Sequence, residues 1–282
     1  MSDDLSMFID MPADEYHSDP AVVGHSALVS LLHSPKHYYA DLQRGRKVTP
    51  AMEFGTAFHT QVLEPELFAV EFVVKPKFDL RTTVGKENSA AWDAENPGKT
   101  IISEADKESI EGMFAALCER DDIALKIRNS YREKSFFWTD EDTGIECRIR
   151  PDLLIFDEIT GDIIGAADLK SAQNASKAKF AREIGDRGYD LQAAFYSDAI
   201  SEALGRRIPF FLIPVESSYP HGVASYEVGP VTMEVGRKKY RTALQLLQWC
   251  RENARWPSYQ LGDSEVIEVP SWYARSVLDE AI

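Results

Sequence analysis

The stretch CRIRPDLLIFDEITGDIIGAADLKSA, residues 147–172, decides the expected fold. Two runs rich in apolar and β-branched residues flank the turn sequence EITG, which predicts two antiparallel strands joined by a short turn. Successive side chains of a strand point to opposite faces, so Asp168 and Lys170 share one face while Leu169 points into the core. Pairing across the turn can bring Asp152 beside Asp168. The stretch therefore predicts two carboxylates and one ammonium group at the same place.

This cluster has an ordinary interpretation and a chemical one. The sequence D-x-K is common, and by itself it indicates a surface ion pair near a turn aspartate. Two converging carboxylates are, however, natural ligands for Mg²⁺, which prefers oxygen donors. Such an ion polarises a phosphodiester and lowers the pKa of a bound water. The neighbouring lysine can orient that water, or accept its proton if cations and burial lower the lysine pKa.

The surrounding pattern predicts how these strands are packed. Another strand, EKSFFWTD (133–140), precedes the stretch, so that 133–140, 144–157 and 162–171 form an antiparallel meander. A helix precedes the meander, and a helix, an apolar strand and a final helix after Pro230 follow it. This order predicts an α/β fold with a central mixed sheet flanked by helices. Residues 76–100 form the least regular stretch.

One domain is expected for the whole chain. Its expected parts are an N-terminal helical extension (1–48), a core (49–230) with an insertion at about 76–130, and a C-terminal helix and tail (231–282). The chain has 282 residues and 44% hydrophobic residues, which is ordinary for a globular protein. No run approaches the roughly 18 apolar residues of a membrane span, and the acidic N-terminus lacks a signal-peptide pattern. A cytoplasmic location without a membrane partner is therefore expected.

Cysteine content and net charge exclude several classes of site. Cys118, Cys147 and Cys250 are far apart and form no CxxC, which argues against a zinc ribbon or a four-cysteine iron–sulfur cluster. The formal net charge is −15, whereas a protein that grips nucleic acid with a broad basic face is usually positive. Any role on DNA therefore requires a local basic channel or bound metal ions.

Two further motifs lie on predicted helices. GTAFH places His59 four residues after Gly55, and YDLQAAFYSD places Gln192 and Tyr196 four residues apart on one helix face. Taken singly, the histidine reads as a half-buried residue and the Gln–Tyr pair as part of an ordinary amphipathic helix. Their order along the chain, one before and one after the strand pair, is what links them to the carboxylate cluster.

Taken in chain order, G-x-x-x-H, R-P-D, D-x-K and Q-x-x-x-Y make the sequence resemble the RecB-type branch of the PD-(D/E)xK nucleases. Within that branch, the N-terminal segment LLHSPKHYY favours a resemblance to the exonuclease VIII (RecE) group of phage and prophage recombination nucleases. The resemblance also includes FGTAFHTQVLEPELF. The resemblance covers most of the chain. It implies a restriction-endonuclease-like core of helix, three strands, helix and strand.

The resemblance also implies the roles of individual residues. The implied metal ligands are His59, Asp152, Asp168 and the Leu169 carbonyl, and Lys170 serves the attacking water. Gln192 and Tyr196 line the site beside the substrate. The implied cofactor is Mg²⁺ or Mn²⁺, one or two ions per site, and imidazole favours Mn²⁺ because it is a poor Mg²⁺ ligand.

The activity implied by the resemblance is degradation of linear duplex DNA from its ends, 5′ to 3′, which leaves a single-stranded tail for a RecT-like annealing protein. Members of the group form closed homo-oligomeric rings around DNA. Two alternatives remain open. One is another nuclease of the RecB-like branch, such as a CRISPR-associated exonuclease with single-strand or endonucleolytic activity. The other is a non-catalytic DNA- or protein-binding scaffold with the same fold.

Four basic residues are candidates for holding DNA. Arg148 and Arg150 share a strand face with Asp152, which makes them candidates for phosphate binding. Arg81 and Lys86 lie in the irregular stretch and are candidates for contacts with the DNA end. Either pair could instead belong to a solvated face or to structural ion pairs. Glu133 is a candidate outer metal ligand or a plain charge at the edge of a strand.

Overall fold

The structure is a computed structural model that describes residues 5–45, 48–260, 262 and 264–278. The expected N-terminal extension and C-terminal tail therefore lie partly outside the described residues. The helices, in chain order, are α1 (Ala13–Tyr16), α2 (His25–His33), α3 (Pro35–Arg44), α4 (Pro50–Leu63), α5 (Pro65–Glu71), α6 (Thr83–Glu95), α7 (Glu104–Cys118), α8 (Asp121–Arg128), α9 (Lys177–Arg187), α10 (Tyr189–Ala203), α11 (Pro230–Asn253) and α12 (Ser271–Leu278). The strands are β1 (Phe72–Val74), β2 (Thr100–Ile102), β3 (Ser130–Arg132), β4 (Phe136–Thr139), β5 (Glu146–Ile149), β6 (Leu153–Phe156), β7 (Ile163–Ala172), β8 (Phe210–Glu216) and β9 (Tyr226–Glu227).

The central sheet is mixed. Its strand order is β3-β6-β7-β8-β9, with β6 antiparallel and β8 parallel to the ten-residue strand β7. The parallel connection from β7 to β8 passes through α9 and α10, as a crossover between parallel strands requires. Two smaller sheets accompany it: β4 pairs with β5 antiparallel, and β1 pairs with β2 parallel. The expected α/β fold with a central mixed sheet flanked by helices is confirmed.

The pleat of β6 and β7 separates two apolar layers. Leu154 and Ala166 belong to the layer formed with α2, α10 and α11, whereas Leu153, Ala167 and Leu169 belong to the layer formed with α4, α7 and α8. Because Asp168 and Lys170 alternate with Ala167 and Leu169, they point toward the α10 side of the sheet. This alternation agrees with the face assignment made from the sequence.

The turn between β6 and β7 fixes their register. The Asp157 carboxylate accepts hydrogen bonds from the backbone N–H groups of Ile159 and Thr160, each at 2.9 Å, and Gly161 has a φ of +76°. The register places Leu153 opposite Ala167 and therefore brings Asp152, one residue earlier, next to Asp168. The predicted strand pair and turn are thus present.

The expected single strand over 144–157 is instead two strands. Residues 150–152 interrupt it, because Pro151 has no N–H to donate to a sheet ladder. As a result, β5 pairs with β4 in its own hairpin, while β6 joins the central sheet and pairs with β3. The expected meander therefore divides between two sheets.

The stretch 76–100, expected to be irregular, contains helix α6. Thr82 is its N-cap, and its hydroxyl accepts a hydrogen bond from Gly85 N at 3.0 Å. The Ala- and Glu-containing segment that follows favours helix once it is capped. Lys86 therefore lies in the first turns of a helix.

The N-terminal segment packs on the hairpin of β4 and β5. Ile9 forms an antiparallel bridge with Ser135, and Val23 forms a parallel bridge with Cys147. Between these anchors the chain carries α1 and its buried residue Tyr16. The long helix α11 covers α10 with one apolar face. Within the described ranges, no helix combines the length and apolar character that crossing a membrane requires.

Candidate active site

A cleft of about 420 Å³ lies where β6, β7, α4 and α10 meet. The sequence motifs converge on its wall, which includes His59, Asp152, Asp168, Lys170, Gln192 and Tyr196. Four separate elements contribute these side chains, so the residues come together only in the folded chain. The structure thus brings the four motifs to a single site.

The two aspartates are buried and adjacent. Asp152 is 5% exposed and Asp168 is 3% exposed. The Asp152 carboxylate accepts a hydrogen bond of 2.6 Å from Leu169 N, and Asp152 N lies 3.5 Å from Asp168 Oδ1. Because Asp152 follows the strand break at Pro151, its side chain can turn toward β7. The β6–β7 register therefore creates the carboxylate pair.

Asp168 holds the lysine of its own strand. Lys170 Nζ forms an ion pair with Asp168 Oδ2, and Gln192 Nε2 donates to the same oxygen at 2.7 Å. The Lys170 ammonium group also lies over the ring of Tyr189, 4.6 Å from its centre. Asp168, Lys170 and Gln192 therefore form one buried polar network.

His59 reaches the cluster from α4. Its Nε2 is 3.0 Å from the carbonyl oxygen of Leu169, and its Nδ1 is 3.7 Å from Asp152 Oδ2. The helix is fixed at its start by Thr49, whose hydroxyl caps it, and by Pro50 in its first turn. The imidazole, the Leu169 carbonyl and the Asp152 carboxylate are consequently neighbours.

Burial and like charge act on the protonation of this cluster. Burial, together with the charge of Asp168, raises the pKa of Asp152 to about 6. Burial opposes the charged form of Lys170, but the carboxylates of Asp168 and Asp152 outweigh it and raise its pKa above the usual value. Lys170 is therefore an ammonium donor at neutral pH.

Glu133 is a third acid of the cleft wall and is half-buried, with its side chain 22% exposed. Its carboxylate is 2.6 Å from the guanidinium of Arg150, and its N–H donates to Asp152 O at 3.3 Å. Burial and the charge of Asp152 raise the pKa of Glu133 to about 8, against the opposing effect of Arg150. Glu133 also has a φ of +52°, which is uncommon for a residue other than glycine.

Replacing Glu133 by glutamine is expected to change the pH dependence of stability. A folded-state pKa of about 8, above the ordinary 4.5, means that Glu133 favours folding at low pH and that this contribution is lost as pH rises through 8. In a buffer with a chelator, the unfolding free energy of Glu133→Gln relative to the parent should therefore rise by about 1.4 kcal/mol per pH unit over part of the range pH 5–8. Denaturant unfolding at several pH values measures this, and a constant difference would show that Glu133 keeps an ordinary pKa.

Arg148 does not have the geometry expected of a phosphate-binding residue. Although it lines the cleft, it is buried, and its Nη1 donates to the backbone oxygens of Tyr16 (2.5 Å) and Asp19 (3.0 Å). Its guanidinium also lies over the Tyr16 ring, as does that of Arg150. Arg148 thus fastens the N-terminal segment to the cleft. Arg150 faces the cleft but is engaged by Glu133.

Arg81 and Lys86 lie outside the residues that line the cleft. The Arg81 side chain is 96% exposed and is 3.8 Å from Asp79, and Lys86 is exposed on α6. The sequence suggested DNA contacts for them only because it showed basic residues in an apparently irregular stretch. The structure shows a capped helix from Thr83, with Arg81 in the turn before it, and the contacts of Arg81 and Lys86 with DNA stay a prediction.

Sequence reasoning missed two aromatic residues of the site. Tyr189 lies one helical turn before Gln192, and that spacing could have indicated its place beside Lys170. Tyr16 comes from the N-terminal segment, and its burial raises the pKa of its hydroxyl. Its position depends on a long-range packing arrangement that no local motif signals.

The cluster contains the kinds of donor atom that hold a divalent metal ion. In the part of the chain that the structure describes, no three His, Cys, Asp or Glu side chains are grouped closely enough to hold one. The neighbouring donors are nevertheless two carboxylates, one carbonyl oxygen and one imidazole, which suit Mg²⁺ or Mn²⁺. Burial and the neighbouring charge of Asp168 raise the pKa of Asp152, so a cation bound between the two carboxylates would stabilise their charged forms. Gln192 Oε1 is also buried without a hydrogen-bond partner among the described residues, which calls for a polar partner.

The fold and the cluster define a PD-(D/E)xK-like protein, since Pro151-Asp152 and Asp168-Leu169-Lys170 meet on neighbouring strands of a mixed α/β sheet. A family model described as "PDDEXK-like domain of unknown function (DUF3799)" matches residues 24–269. The chain belongs to this family.

A solved structure has the same fold. It is a "Putative exonuclease" from Eubacterium rectale, which aligns with a TM-score of 0.59 over 97% of this chain and 98% of its own. The two sequences are 14% identical, so the likeness shows the fold alone. A comparison with curated proteins finds no match.

Proposed function

We propose that the protein is a metal-dependent deoxyribonuclease that hydrolyses linear double-stranded DNA from its ends. The observation that carries the proposal is the buried convergence of Asp152, Asp168 and Lys170 in one cleft, with His59 and Gln192 beside them. Buried charges of this kind are costly to stability, which favours a role in chemistry over a role in folding. The family's nuclease-like fold supports the same reaction class.

Each residue has a role that its contacts support. The ion would be held by Asp152, Asp168, the Leu169 carbonyl and His59. When bound, it would polarise the phosphodiester and lower the pKa of a bound water. Lys170, held as an ammonium group by Asp168, orients the water and offsets negative charge on the phosphate. Hydrolysis adds water across one P–O bond and leaves a phosphate and a free hydroxyl.

The remaining polar residues position these groups. Gln192 fixes the orientation of the Asp168 carboxylate by donating to it, and Tyr196 forms the wall next to it on α10. Arg150 lines the cleft with its side chain 10% exposed, and it would bind a DNA phosphate by exchanging its ion pair with Glu133. The 5′-to-3′ direction, the single-stranded tail, the annealing partner and a ring-shaped homo-oligomer come into the proposal from the sequence resemblance.

Digestion of end-labelled DNA tests this function. Linear duplexes carrying a label at either the 5′ or the 3′ end are incubated with Mg²⁺, with Mn²⁺ or with a chelator, beside a closed circular duplex. The proposal predicts metal-dependent loss of the 5′ label as mononucleotides or short products, with the circle intact. Cleavage of the circle, or of single strands alone, would favour another nuclease of the same branch. Loss of no substrate with either metal would indicate a scaffold.

A further inference from the structure

A cluster of aromatic and imidazole rings lies on the surface where the end of α2, the start of α3 and residues 254–260 meet. The ring centres of His33 and His37 are 4.4 Å apart, and the Tyr259 ring lies 5.6 Å and 5.7 Å from them. Tyr39 stacks on Trp256, with 4.8 Å between the ring centres and 19° between the planes. These five residues, which we call the ring surface, do not line the catalytic cleft.

The ring surface is open to solvent. Tyr39 is 40% exposed and Tyr259 is 68% exposed, and both imidazoles are exposed. The Ser34 hydroxyl oxygen lies 2.6 Å from Nδ1 of His37 and fixes the orientation of that ring. None of residues 31–39 lines the cleft, so the catalytic site does not account for the segment LLHSPKHYY. Exposed patches of this kind commonly mark binding sites.

The attachment of residues 254–260 to α3 does not require the exposed rings. Lys36 N donates a hydrogen bond to Pro257 O at 2.9 Å. Trp256 also packs against Tyr38, which is only 3% exposed, with 5.7 Å between the ring centres. The exposed rings are therefore held in place by neighbours that leave them uncovered.

The charge around the ring surface is positive in a chain whose net charge is −15. Residues 25–45 and 249–260 together contain two acidic residues, Asp41 and Glu252, and four basic ones, all of them exposed: Lys36, Arg44, Arg251 and Arg255. The local balance is therefore +2. Attraction of phosphates by such residues is the main source of non-specific affinity for nucleic acid.

Helix α2 connects the ring surface to the cleft. Its first residues, His25 and Ser26, line the cleft, and His33 is its last residue. A rise of about 1.5 Å per residue puts the two ends about 12 Å apart. A strand that leaves the cleft past the start of α2 therefore reaches the ring surface within a few nucleotides.

We propose that the ring surface binds single-stranded DNA outside the cleft, namely the strand that remains after digestion. The inference rests on the proposed nuclease function and adds a binding surface to it. Bases stack on Tyr39 and Tyr259, and Lys36 and Arg44 attract the backbone. Duplex DNA does not fit this surface, because its bases are already stacked on one another inside the helix.

The first test measures binding of a fluorescent twelve-nucleotide oligothymidylate by anisotropy, in a buffer without divalent ions so that no strand is cut. Tyr39→Ala and Tyr259→Ala should each weaken binding about fivefold or more, because each removes a ring on which a base stacks. Tyr273→Ala is the control and should weaken binding less than twofold. Tyr273 is 49% exposed and also lies beside a tryptophan, with its ring centre 5.9 Å from that of Trp272.

The second test separates charge from stacking. Lys36→Gln should lower the slope of log affinity against log salt by about 0.7, whereas Lys77→Gln, another exposed lysine, should leave it unchanged. An abasic oligomer of the same length carries phosphates without bases. It should bind the parent and Tyr39→Ala with equal affinity.

The outcomes separate this inference from the nuclease function. If Tyr39→Ala and Tyr259→Ala bind the oligothymidylate as Tyr273→Ala does, or if the parent does not bind it, the inference is overturned. A lower molecular mass of Tyr39→Ala than of the parent in light scattering would also overturn it, because the ring surface would then be an interface between copies of this chain. Digestion of end-labelled duplex is measured separately with metal present, so each of these results can occur while the nuclease function stands.

Discussion

Replacing Asp168 by asparagine is expected to slow DNA cleavage by about 10³-fold or more. The substitution removes the negative charge to which Lys170 and Gln192 are both attached, and with it one of the two carboxylates proposed to hold the ion. The asparagine oxygen can still accept from Gln192, and the charge of Asp152 still acts on Lys170, so the fold should survive with a loss of stability. Initial rates on linear duplex DNA with Mn²⁺ measure the effect, and thermal unfolding checks the fold.

A matched control for this variant is Asp190→Asn on the same helix as Gln192. Asp190 is also 3% exposed and also pairs with a lysine, Lys239, at 2.6 Å, but it does not line the cleft. Its replacement should cost stability without reducing the cleavage rate by more than a few fold. Equal losses of activity in the two variants would mean that buried charge supports the fold in general and has no special role at Asp168.

Replacing Lys170 by methionine is expected to abolish cleavage and also to destabilise the protein by about 3–5 kcal/mol. The loss of stability follows because Asp152 and Asp168 would remain buried without the ammonium group that compensates them. Its size should be largest at neutral pH and smaller in acid, where the carboxylates take up protons. Denaturant unfolding and the cleavage rate measure the two effects.

The double variant Asp168→Asn/Lys170→Met separates these two effects. Removing both charges leaves a neutral pair, so most of the stability lost in Lys170→Met should return while cleavage stays absent. A double variant that is as unstable as Lys170→Met would show that lost packing, and not the uncompensated charge, destabilises the single variant.

The position of the cluster on the strands could be predicted because strand geometry is regular. Alternation placed Asp168 and Lys170 on one face, and the turn sequence EITG placed Asp152 opposite. The order of the four motifs also predicted that His59 and Gln192 belong to the same place, and the structure brings them into contact with it. Local periodicity and motif order were therefore enough to predict the fold and the residues at the centre of the candidate site.

The surroundings of the cluster depended on contacts between distant parts of the chain. Arg148 has the parity of a cleft residue, yet its guanidinium is taken by backbone oxygens of the N-terminal segment, more than 100 positions away. Arg81 and Lys86 were assigned by charge alone, and charge does not specify where a capped helix will lie. The missing N–H of Pro151 indicates that the expected strand is interrupted there. The pairing of the second part, β6, with β3 could not be predicted from the sequence.

Calorimetric titration with Mn²⁺ distinguishes a catalytic centre of the proposed kind, which must bind a divalent ion, from a scaffold of the same fold, which need not. The parent protein is titrated beside Asp168→Asn and Asp190→Asn in a metal-free buffer. The parent and Asp190→Asn should bind one or two ions saturably, and Asp168→Asn should lose at least one of them. No binding by the parent, or unchanged binding by Asp168→Asn, would contradict the proposed catalytic centre.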